Sequence, residues 1–326
     1  MDMTETIDTL LLLALPAAGK SEVRKYLKML PGAQVHSDFA LNPTVQLDDF
    51  CYVHLLRRID DELAARGHER LFFHAADRPF KDPWHWGTLV HLLNEDYENL
   101  VVKKDLQRSS PGKALLERLE RAMRQAGAKT RLDVLPTGLH GELAAALDKE
   151  AAELAVSQMR NYPDTLKGKT LLIEFARGGP QGSAMPLPAP LGYRHSLGCL
   201  SEDILRRAAV LYVWVTPEDS RRKNLERADP NDPGSILHHS VPREVMLNDY
   251  GTDDVADLVS ADGSFMSVRK GAKEYRLPFA RFDNRQDRTS FIRGERAQWA
   301  KSDVDAIHGE LKLAFAGMRQ ALAVSR

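Results

Sequence analysis

Short, almost unbroken apolar runs alternate along this chain with stretches in which apolar residues recur every three or four positions. Thr9 to Leu15 is nearly all aliphatic, which suits a strand buried on both faces of a parallel sheet rather than one with a wet side. After a turn at Pro16, Val23, Tyr26, Leu27 and Leu30 recur at helical spacing over Ser21 to Leu30, and Pro31-Gly32 stops that helix. Gln34 to Ser37, Arg70 to Ala75, Thr170 to Phe175, Val210 to Val215 and Arg276 to Phe282 read as further buried strands, with helical stretches between most of them. Such alternation predicts an α/β fold of three layers, a parallel sheet flanked by helices.

Between Arg70 to Ala75 and Thr170 to Phe175 the pattern turns helical for a long way. Leu115, Leu116, Leu119, Met123 and Ala126 share a face, and Gly141 to Arg160 is rich in Ala, Leu and Glu, so residues from about 105 to 165 read as a helical insertion. Gly178 to Gly192, dense in Gly and Pro, reads as a loop directly after a strand, a common place for ligand-binding loops. Val304 to Leu322 is an amphipathic last helix.

With 326 residues, 43% apolar and 28% charged, the chain has material for a sizeable core, and it reads as a single domain over 1–326. The 46 acidic and 45 basic side chains nearly cancel, which argues against an overall field drawing the protein to nucleic acid or an anionic membrane. Cys51 and Cys199 lie far apart without zinc-site spacing, so reduced thiols are expected. The apolar run Leu10 to Leu15 is too short to span a bilayer and is preceded by acidic residues where a signal peptide is basic, so a cytoplasmic location is expected.

The chemistry concentrates at the first turn. Ala14-Leu15-Pro16-Ala17-Ala18-Gly19-Lys20-Ser21 matches the phosphate-binding pattern G-x-x-x-x-G-K-[ST] at every fixed place but the first, and it stands between a buried strand and an amphipathic helix as that pattern requires. There, backbone N–H groups curl around a β-phosphate while the helix presents the positive end of its dipole. Gly19 permits close backbone approach, Lys20 reaches the β- and γ-phosphates, and the Ser21 hydroxyl can ligate Mg2+. Pro16, Ala17, Ala18 and the first-turn acid Glu22 complete the nucleotide-binding candidates.

At this loop the sequence resembles the kinase-type P-loop NTPase superfamily, in which G-x-P-G-[AS]-G-K-[ST] is frequent; Ala14 and Ala17 stand where glycines are usual. The resemblance is strong at the start of the chain and loose elsewhere. It implies a P-loop NTPase fold, ATP and Mg2+ as cofactors, and three further elements. One is an acid after the second strand that orients or deprotonates the acceptor: Asp38, with Asp48 and Asp49 as second choices. Another is an apolar strand ending in a metal-holding acid, offered by Leu171-Leu172-Ile173-Glu174 or by Asp77-Arg78 after Leu71 to Ala75. If Glu174 serves, Asp77 and Arg78 line the substrate pocket with the aromatics Phe80, Trp84 and Trp86, and Arg177 either points into the same cleft as a substrate residue or pairs structurally with a nearby acid. The last is a lid over about 217–250 with Arg221, Arg222 and Arg227, whose guanidinium forks suit a transferring phosphoryl group, and a turn-rich tip at Asp229 to Gly234. His238-His239 with Asp249, Asp253 and Asp254 reads as surface or pocket rather than as a metal cluster.

The expected partners are therefore a nucleoside triphosphate and a small-molecule or nucleoside/nucleotide acceptor. The expected activity is a kinase with Lys20, Asp38, Arg221 and Arg227 as catalytic residues and Ser21 and Glu174 at the metal. An NTPase coupled to conformational change, a non-catalytic nucleotide sensor and a kinase acting on RNA or DNA ends are the alternatives; no guanine-reading N-K-x-D occurs.

Overall fold

The structure, a computed structural model, describes residues 6–226 and 240–325. β1 (Thr9–Leu13) leads through a loop to α1 (Lys20–Met29), followed by α2 (Gly32–Phe39), β2 (Thr44–Asp48) and α3 (Phe50–Ala65). Then come α4 (His85–Val102), α5 (Pro111–Ala126), α6 (Thr137–Arg160) and β3 (Thr170–Phe175). The second half holds α7 (Gly192–Cys199), α8 (Glu202–Leu205), β4 (Ala208–Trp214), α9 (Pro217–Glu226), α10 (Arg243–Asn248), β5 (Phe265–Lys270), β6 (Lys273–Asp283) and α11 (Lys301–Ser325).

The strands form one sheet in the order β2-β3-β1-β4-β6-β5. All neighbours run parallel except β5, which pairs antiparallel with β6 at one edge. β1 reads as an unbroken apolar run because both its faces are covered: Leu10 and Leu12 pack with α1, α2 and α11, whereas Leu11 and Leu13 pack with α4 and α7. Helices α3 to α6 share a separate core around Leu56, Ile59, Leu119 and Leu143. Among the described residues, no helix is long and apolar enough to cross a membrane.

Two expected strands are not strands. Gln34 to Ser37 lies in α2, where Val35 and Phe39, one helical turn apart, turn inward after Pro31 has ended the previous element. Arg70 to Ala75 forms only an isolated bridge, Phe73 with Phe80, because the N–H groups of Leu71, Phe72 and Phe73 donate to the buried Asp60 carboxylate (2.7, 3.0 and 2.8 Å) instead of to a neighbouring strand. The true second strand is β2, an edge strand whose Val45 and Leu47 alternate with polar Thr44, Gln46 and Asp48. The helical block at 105–165 is present as α5 and α6.

Candidate functional site

The loop between β1 and α1 carries two left-handed residues, Ala17 at φ 57° and Gly19 at φ 112°. A Cβ at Gly19 would stand 2.6 Å from both Asn284 Nδ2 and Thr289 Oγ1, so glycine is required there on two counts. Ala14 is not among the positive-φ residues, so its side chain costs the backbone nothing. It is clamped by Tyr193, whose hydroxyl accepts from the Ala14 N–H (3.0 Å) and donates to the Ala14 carbonyl (2.9 Å). Ser220 donates to the Pro16 carbonyl (2.7 Å) and Asn284 to that of Ala18 (2.7 Å), so α9 and the turn after β6 hold the loop from outside. The N-cap residue of α1 is Gly19, which has no side chain to cap the helix, and Lys20 Nζ folds back onto the Ala14 carbonyl at 3.2 Å.

Residues 15 to 22 form one wall of a cavity of ≈ 170 Å³. Opposite them stand acids delivered by the carboxyl ends of β2 and β3. The parallel register sets Asp48 beside Glu174, and Glu174 in turn beside Leu12 of β1. Because β2 and β3 alternate in phase, Glu174 shares the face of Leu172, on the α1 side, and there it pairs with Arg24 of α1 at 2.9 Å. Asp48 has no ion pair among the described residues; it accepts from the Phe50 N–H (3.2 Å) and from Gln46 (3.3 Å). Burial, reinforced by the charges of Glu174 and Asp49, pushes its carboxyl up to about 6. Asp49 does not cap α3 but pairs at 2.7 Å with Arg177.

Arg177 is 1% exposed and lies behind the cavity. Besides Asp49 it reaches Ser196 (3.0 Å) and the carbonyls of Ala176 (2.6 Å) and Trp86 (3.3 Å), with its guanidinium over the Trp86 ring. Glu22 lines the cavity, but its carboxylate is engaged by Arg293 at 2.7 Å. The far wall is aromatic, with Phe73, Phe80, Trp86 and Tyr250 beside Arg57 and Asp249.

The structure thus brings Pro16, Ala17, Ala18, Gly19, Lys20, Ser21, Glu22 and Glu174 into one cavity, with Phe80 and Trp86 but not Trp84. It does not bring Asp38 there: on α2, Asp38 binds Lys312 (2.7 Å) and His308 (3.1 Å) of α11, which hold its carboxyl below the usual range. Asp77 and Arg78 are exposed outside the cavity, Arg78 pairing with Glu244 at 3.1 Å. Arg221 pairs with Glu218 (2.7 Å) and Arg222 with Glu226 (2.9 Å), both on α9, and neither lines the cavity. Arg227, the Asp229 to Gly234 stretch and His238-His239 lie outside the described residues; of the proposed lid, the described parts are α9, α10 and the turns around α10. Asp253 accepts from Tyr212 and Asp254 from the Tyr193 and Arg194 N–H groups, both away from the cavity. No family model, curated protein or solved structure matches this chain.

Arg57 was not singled out from sequence, nor Tyr250, and Asp249 only as a surface or pocket residue. The last two arrive through a close backbone approach: the loop after β3 pairs with residues 247–252 through Gly179 and Thr252, and Gln181 donates to the Leu247 carbonyl (2.8 Å). A Cβ on Gly178 would fall 2.4 Å from the Thr252 carbonyl oxygen. The glycine-rich loop therefore holds Asp249 and Tyr250 at the cavity, while none of residues 178–192 lines it.

Proposed function

We propose that this chain is a Mg2+-ATP-dependent phosphotransferase of the kinase-type P-loop class, acting on a small hydroxyl-bearing molecule. The observation that carries the reading is that residues 15–21 of the loop, with the Gly19-led helix N-terminus and Lys20, share one cavity with the acids Asp48, Asp49 and Glu174 at the strand ends. The triphosphate would lie on the loop, with Lys20 at its β- and γ-phosphates. The donors fit Mg2+: Ser21 and Glu174, one of whose oxygens pairs with Arg24, line the cavity and offer hard oxygens, and a bound triphosphate would supply further ligands. The metal, when bound, would neutralise charge on the phosphates.

Asp48 takes the role first expected of Asp38. It stands at the end of the true second strand, without an ion pair among the described residues, and can accept the proton of an acceptor hydroxyl. Thermal melts with Mg2+ and ATP test the nucleotide part: wild type should rise in Tm and Lys20→Ala should not. In turnover assays Asp48→Asn should lose about 10²-fold or more in kcat, whereas Asp38→Asn should stay near wild type. An equal loss in Asp38→Asn, at unchanged Tm, would return the base to α2.

A further inference from the structure

Beyond the phosphate loop, the cavity is walled by linked rings. Phe73 stacks on Phe80 (4.4 Å between centroids, 23° between planes), Phe80 meets Trp86 edge to face (5.0 Å), and Trp86 meets Tyr250 in the same way (5.6 Å). Val53 and Val245 fill between them. A chain of interlocked rings has little freedom to lose when a flat ligand lies against it.

The charge in this compartment is lopsided. Five carboxylates line the cavity, those of Glu22, Asp48, Asp49, Glu174 and Asp249, against Lys20 of the loop and Arg57. Glu22, Asp49 and Glu174 are neutralised by Arg293, Arg177 and Arg24, none of which lines it. Asp48 and Asp249 have no ion pair among the described residues. Arg57 is already committed: it donates to the carbonyls of Ala76 (2.6 Å) and Arg78 (3.2 Å), and its guanidinium lies 3.9 Å from the Phe73 ring centroid. With Lys20 taken up by the nucleotide, a phosphate on the acceptor would therefore meet two carboxylates, Asp48 and Asp249, against the single guanidinium of Arg57, whose donors already go to Ala76 and Arg78.

Asp249 is 7% exposed and its carboxylate makes no hydrogen bond among the described residues. Leaving a buried carboxyl unpartnered is costly, and a ligand donor would remove that cost. We infer that the compartment binds an acceptor with a planar ring, a hydroxyl to be phosphorylated, an N–H or O–H donor that completes Asp249, and no phosphate of its own. This rests on the phosphotransferase reading and narrows it to unphosphorylated acceptors. In the step, the acceptor oxygen forms a bond to the γ-phosphorus of ATP as the bond to the β,γ-bridging oxygen breaks. ADP leaves with that electron pair, and Asp48 takes the hydroxyl proton.

The test is a thermal-shift panel on the full chain saturated with Mg2+ and a non-hydrolysable ATP analogue. The probes are adenosine, cytidine, uridine, guanosine and pyridoxamine, each beside its own phosphate monoester. At least one unphosphorylated probe should raise Tm more than its monoester does, and Asp249→Asn should weaken that probe about tenfold or more while keeping the response to the ATP analogue. Asp249→Ser makes the same comparison if the amide does not fold. Preference for the monoesters, an unchanged response in the Asp249 variants, or a response to the ATP analogue with none to any probe would each overturn the inference. Failure of wild type to respond to the ATP analogue would instead overturn the phosphotransferase reading beneath it.

Discussion

Ala17 holds a left-handed backbone at φ 57° in a loop where related patterns place glycine. An L-residue there costs roughly 1–2 kcal/mol, while glycine returns part of the gain as extra freedom of the unfolded chain. Ala17→Gly should therefore stabilise the protein by about 0.5–1 kcal/mol in urea denaturation and keep its response to ATP. Asp249 makes a second prediction. Burial pushes its carboxyl up to about 7, with Arg57 pulling the other way. The unfolded carboxyl ionises near about 3.9. Between those values the folded state holds a proton that the unfolded state has lost, so this residue's contribution to stability falls as pH rises from about 4 to about 7. Asp249→Asn removes the effect. Its stability relative to wild type should grow by a few kcal/mol, ~4 at the most, between pH 4 and pH 8, whatever the amide itself costs. A pH-independent difference in paired denaturation curves would mean that the carboxyl is not desolvated as the structure has it.

At the scale of elements, the helices α3 to α6 are pinned by one buried polar cluster. Asp96 of α4 accepts from Tyr52 of α3 (2.5 Å), Arg118 of α5 (2.5 Å) and Gln158 of α6 (2.8 Å). One carboxylate thus satisfies three helices in a low-dielectric setting, and its loss leaves Arg118 as a buried charge whose remaining ion pair among the described residues is with Glu95 at 3.2 Å, beside the Leu92 carbonyl at 3.0 Å. Asp96→Ala should cost about 3–5 kcal/mol, and the pair Asp96→Leu with Arg118→Met markedly less, because no lone charge remains. Chemical denaturation of the two variants measures both. The same scale explains which strands were legible. β1, β3 and β4 are buried almost throughout and show as apolar runs, and β6 shows where it is buried, over 277–280, whereas β2 is an edge whose polar alternation resembles a loop.

Across the whole molecule, Arg177 joins parts that sequence separates widely. From the end of β3 it binds Asp49 at the start of α3, Ser196 of α7 and the Trp86 carbonyl of α4, so the sheet, the helical block and the acidic rim of the cavity meet at one guanidinium. Arg177→Ala should cost about 3–5 kcal/mol by stranding Asp49 beside Asp48 and Glu174. Arg177→Lys should recover part of this, since an ammonium keeps the charge but not the fork. Melting curves would show it, and a loss below about 1 kcal/mol would place the joint elsewhere.

The sequence by itself determined the phosphate-loop pattern between strand and helix, the parallel α/β character, the two insertion helices and Glu174 as an acid inside an apolar strand. These are local: each follows from periodicity or from a short run of neighbours. It pointed to Asp38 because Gln34 to Ser37 resembled a strand, and only the tertiary structure decided that this segment is helical and that β2 brings Asp48 to Glu174. Only the fold, too, carried Arg57, Asp249 and Tyr250 to the cavity, and Asp77 and Arg78 away from it. The physical reason is common to these cases: an edge strand, a pocket wall and an ion pair are completed by partners tens to hundreds of residues away, and no local pattern records which partner arrives.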